Sequence, residues 1–246
     1  MTTETQNTDG GGIQALAARL SELQADREGL IAGLTGSVAS GKTTLAGALA
    51  DVLDDTLDVA TVSTDGFLYP NSVLAERELT LRKGFPETYD HQALGEALRT
   101  LRTGEAAFPA YSHVIYDVDP ALTRVIAQPD VLILEGLGFQ PLSPPPRETH
   151  EPDLLIYLDA SEDDLLAWFL ERFVRLWNAA REDPSSFYAN FLHMSEPELL
   201  EFAQSVWERI NLANLRENIA PLKQRADIVL FKTRDHTITI AEDRLL

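Results

Sequence analysis

The run Gly36-Ser37-Val38-Ala39-Ser40-Gly41-Lys42-Thr43 fits G-x-x-x-x-G-K-[ST] in full. Glycines at both ends let the backbone curl so that successive N–H groups point inward and form an anion nest. A helix beginning at Lys42 would add the partial positive charge of its N-terminus. In such a loop Lys42 reaches the β- and γ-phosphates of a nucleoside triphosphate, and the Thr43 hydroxyl coordinates Mg²⁺. A glycine-rich turn could match the same letters by chance. The apolar run before the motif and the helical periodicity after it argue for the phosphate site.

Two acids could complete the chemistry. Asp65, in Ser63-Thr64-Asp65-Gly66-Phe67, ends a β-branched segment. A carboxylate there could orient an attacking hydroxyl or accept its proton. Read structurally, it is a turn residue before glycine. Glu135 closes the apolar stretch Val131-Leu132-Ile133-Leu134, the pattern of an acid that supports Mg²⁺ directly or through water. Its structural alternative is a solvated strand-end acid. The Asn-Lys-x-Asp stretch that reads guanine is absent from the sequence. The residues thus point to phosphoryl transfer onto a small hydroxyl compound. A nucleotide-binding regulator without catalysis is the alternative from another class.

These groups need a frame. Leu30–Thr35, Asp58–Thr64, Val131–Leu134, Leu154–Leu158 and Ile228–Phe231 are short, apolar or β-branched runs. They alternate with segments of helical spacing at Ile13–Glu28, Lys42–Leu53, Asp90–Thr103, Glu162–Arg181 and Pro197–Asn218, and Ser161 is a suitable N-cap for the fourth of these. Continuous apolar strands separated by helices predict a mostly parallel sheet with helices on both faces. A parallel sheet places ligands at the carboxyl ends of its strands, which would put Asp65 and Glu135 on one rim with the phosphate loop. Gln140–Glu151, with three consecutive prolines, reads as an extended surface loop. Residues 1–12 read as a disordered tail and 13–246 as a single α/β domain, with a helical substrate or lid region over 162–218.

Composition narrows the partners. The 246 residues carry 20 Lys+Arg against 39 Asp+Glu, a formal net charge of −19. That balance argues against nucleic acid, which needs a basic face, and against anionic lipid. With no cysteine, disulfides, thiolate catalysis and cysteine-held zinc are excluded. The polar N-terminus shows no secretory signal and no apolar run is long enough to span a bilayer, so a cytoplasmic protein is expected.

The chain resembles the type I (bacterial) pantothenate kinases, within the phosphoribulokinase/uridine kinase group of P-loop kinases. GSVASGKTT from Gly36, STDGFLYPN from Ser63, RKGFPETYD from Arg82 and YSHVIYDV from Tyr111 carry the resemblance. LILEGL from Leu132, ERF from Glu171, INLANLRENIAP from Ile210 and KTRDH from Lys232 continue it in the family's order. It implies phosphorylation of the terminal hydroxyl of pantothenate by ATP, the first step toward coenzyme A. In that reading Asp65 is the base, with Lys42 and Arg172 as its catalytic partners on the transferring phosphate. The nucleotide lies on Gly36–Thr43 and Thr44, with Lys232 and His236 near the adenine. Tyr111, His113, Phe173 and Asn211 bind pantothenate, Thr43 and Glu135 hold the metal, and the protein is a homodimer through the helix after the phosphate loop. The chain departs from the family pattern in a shorter segment before the first strand. It also departs at Phe169, where a tyrosine is expected, at Leu176 and Arg181, where aromatics are, and at Gly47, where an arginine linked to coenzyme A feedback is. These departures keep a second hydroxyl acceptor open. Trp168, Trp177, Phe187, Tyr188 and Phe191 could rebuild the pocket or be helix-packing core.

Overall fold

A computed structural model describes residues 10–245. Helix α1 (Gly10–Gln24) leads into strand β1 (Leu30–Gly36), every residue of which is buried. Helix α2 (Lys42–Leu53) follows the glycine loop, and β2 is Val59–Ser63. Helices α3 (Asn71–Glu76) and α4 (His91–Leu101) precede a two-stranded antiparallel ribbon, β3 (Ala106–Ser112) with β4 (Asp117–Ile126). Strands β5 (Val131–Glu135) and β6 (Leu154–Asp159) come next. The chain ends with α5 (Glu162–Ala179), α6 (Glu196–Val206), β7 (Ile228–Lys232) and β8 (Ile238–Asp243).

The main sheet has six strands in the order β2-β5-β1-β6-β7-β8, parallel except for β8. Side chains alternate across it. Leu30, Ala32 and Leu34 of β1 face a core made with α1 and α2. Ile31 of β1, with Leu132 and Leu134 of β5, faces a second core made with α4, α5, α6 and the ribbon. Burial on both faces is why these strands read as unbroken apolar runs. The Ser161 hydroxyl accepts from the Asp164 N–H and caps α5, as its sequence position predicts.

Several boundaries differ from the sequence reading. Residues 10–12 are helical rather than part of a tail; residues 1–9 lie outside the described residues. The glycines there serve packing: a Cβ on Gly12 would lie 1.8 Å from the Ile238 carbonyl oxygen, so α1 meets β8 backbone to backbone. The ribbon and β8 are not among the strands that the sequence predicts. Much of β4 is solvent-exposed and carries charge and proline, which leaves no apolar run to see. The helix expected over 197–218 is α-helical only to Val206. It then winds as π-helix over Trp207–Asn211 and Leu215–Ile219, separated by one short α turn. No helix among the described residues is long and apolar enough to cross a membrane.

Candidate active site

Strand register brings the chemistry together. Leu34 of β1 and Ser63 of β2 both pair with Glu135 of β5. The glycine loop after β1 and the turn after β2 therefore leave the sheet at the level of the Glu135 carboxylate. Asp65 lies two residues past β2, in a single 3₁₀ turn over Thr64–Phe67 whose N-cap, Ser63, accepts from the Asp65 N–H. The turn sits tight against its neighbours. A Cβ on Gly66 would lie 1.9 Å from the Pro109 carbonyl oxygen, and one on Gly136 (φ +146°) 1.9 Å from Thr64 Oγ1. Thr64 also accepts from the Gly138 N–H at 3.1 Å. The Asp65 turn is thereby fixed to both the ribbon and the end of β5.

The loop itself is built around left-handed residues, with Gly36 at φ +148°, Ala39 at +64° and Gly41 at +94°. Ser37 and Ser40 are buried, and their hydroxyls have no partner among the described residues. Buried hydroxyls left unpaired inside such a curl have room to bond an external group. Val38 and Ala39 rest half-buried against the core, and Thr44 is exposed. Lys42 is 8% exposed and donates back to the Gly36 and Ser37 carbonyls at 3.0 and 2.8 Å. Burial pushes its ammonium below the usual lysine value, and the Glu135 and Asp65 charges oppose that shift. The Thr43 hydroxyl donates to Glu135 Oε1 at 3.0 Å. Burial pushes the Glu135 carboxyl up, Lys42 pulls it back, and the Asp65 charge pushes it again.

The hydroxyl–carboxylate pair fits a hard divalent cation. No cluster of three or more His, Asp or Glu exists among the described residues, so an ion here would take its remaining ligands from phosphate and water, the habit of Mg²⁺.

A cluster of polar and aromatic side chains, which the sequence marks only in part, lies within electrostatic reach of Asp65 and Lys42. Tyr111 and His113 pack edge to face, 5.2 Å between centroids. Burial, and then the Arg172 charge, lower the His113 pKa, so its imidazole is neutral at pH 7. Arg172 extends exposed from α5 with no ion-pair partner among the described residues, and its charge is felt at Lys42, His113, Tyr116 and Tyr188. Phe173 is buried between Phe169, Tyr188 and Phe191, a packing position. Asn211 ends the first π-helical turn, half-buried, its side chain without a hydrogen bond among the described residues.

Several groups escaped the sequence reading. Tyr89, 2% exposed, donates its hydroxyl to Asp65 Oδ1 at 3.0 Å and leaves the other carboxylate oxygen free among the described residues. Burial, and then the Asp65 charge, hold its phenol well above the usual value, so it stays a donor. Lys83 places its ammonium 4.7 Å from the ring centroids of both Tyr111 and Tyr116 and donates to Asn71 Oδ1 and the Tyr116 carbonyl, each at 2.7 Å. Burial lowers its pKa to about 8, against the pull of Asp117 and Asp65. Both residues lie in the RKGFPETYD segment, whose pattern shows no period. At the far end of the loop Lys232 donates to the Ser40 carbonyl at 2.8 Å, and His236 stacks on Trp168.

The altered positions resolve into packing. Phe169 joins Phe173 and Trp207 in the core. Leu176 is half-buried on α5, and Arg181 lies over the Trp177 ring at the helix end. Trp177 donates to the Phe191 carbonyl, so these two are structural. Phe187 stacks on Tyr116 with 4.2 Å between centroids and so joins the aromatic side of this cluster. Gly47 is exposed on α2 with open space where a side chain would go.

The chain is similar over most of its length to known kinases. Pantothenate kinase of Streptococcus suis is 44% identical over 216 residues, covering 85% of this chain and 70% of that protein. Pantothenate kinase of Klebsiella pneumoniae is 39% identical over 237 residues, covering 92% and 75%. A solved D-glycerate 3-kinase from Cryptococcus neoformans superposes with a TM-score of 0.61 at 16% identity, covering 92% of this chain and 97% of that one, a likeness of fold. The profile of the phosphoribulokinase / uridine kinase family matches residues 31–175, the stretch that holds the glycine loop, Asp65, Lys83, Tyr89, Tyr111, His113, Glu135 and Arg172. The chain belongs to that family and is a small-molecule kinase.

Proposed function

We propose that this kinase transfers the γ-phosphoryl group of ATP to the primary hydroxyl of pantothenate. The observation that carries the reading is the Asp65 carboxylate, held by Tyr89 on one oxygen and free on the other, within electrostatic reach of the phosphate-loop lysine. Relatives named pantothenate kinase, at 39–44% identity over most of the chain, support the choice of acceptor.

The residues divide the work as follows. The backbone N–H groups of Gly36–Thr43 and the Ser37 and Ser40 hydroxyls take the phosphates, and Lys42 moves from its own loop carbonyls to the β- and γ-oxygens. Thr43 and Glu135 would hold Mg²⁺, which when bound would neutralise phosphate charge. Lys83, Tyr111, His113 and Asn211 orient the acceptor's polar atoms. The free Asp65 oxygen receives the hydroxyl proton as the acceptor oxygen bonds to phosphorus and the bond to ADP breaks. Arg172, a planar guanidinium without an ion-pair partner among the described residues, steadies the charge on the transferring group. Because such transition states are loose, position and charge matter more than proton abstraction. Closure of the 162–218 region over the nucleotide, and a homodimer through the exposed side of α2, belong to the same reading.

ADP release measured across pantothenate, pantetheine, uridine and glycerate tests it. Turnover is expected with pantothenate well above the others. Turnover with glycerate or uridine and none with pantothenate would overturn the choice of acceptor and favour the second one left open by Phe169, Leu176 and Arg181.

A further inference from the structure

Trp168, on α5, is 6% exposed and belongs to the hydrophobic core on that side of the sheet, yet two polar side chains also lie against its ring. The Lys232 ammonium sits 4.4 Å from its ring centroid, and the His236 imidazole stacks on it at 5.1 Å with 26° between planes. Lys232 is itself 8% exposed and has one hydrogen-bond acceptor among the described residues, the Ser40 carbonyl of the phosphate loop. A Cβ on Gly41 would lie 2.8 Å from the same ammonium, so lysine and loop are in direct contact. His236 has φ +68°, a left-handed conformation that a histidine adopts at a cost. The turn holds it there through the His236 N–H to the Thr233 carbonyl and the Thr233 N–H to the Thr237 carbonyl, at 2.9 and 3.0 Å.

The same helix carries Arg172, one turn beyond Trp168 and on the same side. Arg234, in the turn between Lys232 and His236, pairs with Asp164 at 3.5 Å and Glu171 at 3.4 Å, both on α5. Helix and turn are thus bound at both ends of the Trp168 contact.

We propose that Trp168 is a positioning residue for the nucleotide: its indole sets the Lys232 ammonium against the phosphate loop and His236 beside it, and ties both to the helix that presents Arg172. The indole face attracts the cation and compensates for its loss of water. It also offers a flat support to a neutral imidazole, which presents its own face to a purine. Burial, and then the adjacent Lys232 charge, keep His236 neutral at pH 7. A hydrophobe of similar volume would fill the space without doing either. This inference rests on the nucleotide site argued above.

The test compares Trp168→Phe and Trp168→Leu by calorimetry with Mg·ATP and by steady-state kinetics with pantothenate. Losing a desolvated cation–π contact should weaken ATP binding about tenfold in Trp168→Leu. Trp168→Phe should recover most of that loss, with the KM for pantothenate unchanged in both. Lys232→Met should weaken ATP binding similarly, and in the double variant the losses should overlap rather than multiply. A folded Trp168→Leu protein with wild-type ATP affinity would overturn the proposal. So would losses that multiply in the double variant, or parallel loss of ATP and pantothenate affinity with a lower Tm, the mark of packing alone. Wild-type protein that binds no Mg·ATP would instead remove the nucleotide site itself, and the proposal with it.

Discussion

Tyr89→Phe removes one oxygen and little else. The ring lies against Gly138, where a Cβ would come within 2.8 Å of Tyr89 Cδ1, so the phenylalanine ring has no room to shift. The lost contact is the 3.0 Å bond to Asp65 Oδ1. A hydrogen bond to a charged group contributes about 1.5–3 kcal/mol when desolvated. Asp65 is only half-buried, so water recovers part of that, leaving ~1–2 kcal/mol of orientation to lose. If that orientation is realised in the transition state, kcat falls about 5- to 30-fold. Asp65→Asn, which removes the base, should lower kcat by about 10²–10⁴. The KM for ATP should stay constant in both, because neither side chain bonds the phosphate loop among the described residues. The decisive assay is the double variant, followed by coupled ADP release with a thermal melt as a folding control. If Tyr89 acts only through Asp65, adding Tyr89→Phe to Asp65→Asn should change kcat by less than about twofold. A full 5- to 30-fold further drop would show that Tyr89 works elsewhere. Wild-type turnover in Asp65→Asn would refute the assignment of the base.

Lys83 sets a basic limit. Its pKa of about 8 means that kcat/KM for the acceptor should fall as pH rises through that value and the ammonium is lost, whereas Lys83→Arg, which keeps its charge, should move the limb to higher pH. Glu135→Gln removes the carboxylate beside Thr43 and should raise the Mg²⁺ concentration for half-maximal activity about tenfold, read from a metal titration at saturating ATP. Gly47→Ala, at an exposed helical site with nothing within 4 Å of the new methyl, should stabilise the fold by about 1 kcal/mol in urea unfolding.

How much of this was legible in the letters depends on the range of the interaction. The glycine loop, the buried strands and the capped start of α5 rest on contacts within one segment, so spacing was enough to find them. Glu135, and Asp65 two residues past its strand, stand out in the sequence because an acid closing an apolar or β-branched run is a local pattern, and a parallel sheet gathers such ends on one rim. The resemblance added Tyr111, His113, Arg172, Lys232 and His236 as roles, which spacing alone did not mark.

Geometry between segments was out of reach. Tyr89 meets Asp65 across 24 positions, and Lys232 meets Ser40 across 192. A tyrosine hydroxyl in an aperiodic loop has no sequence signature until the chain closes over it. The exposed ribbon failed for the opposite reason: half of it buries nothing, so no apolar alternation records it. Trp168 was equally readable as core or as site, since an aromatic on a helix face looks the same in both. In the structure it packs in the core and also carries Lys232 and His236 on its ring, from a turn 64–68 residues later in the chain. Spacing carries what the backbone imposes on nearby residues. Which side chains face one another across the cleft was decided by how the layers pack, because only the folded sheet and its helices bring those distant segments within bonding distance.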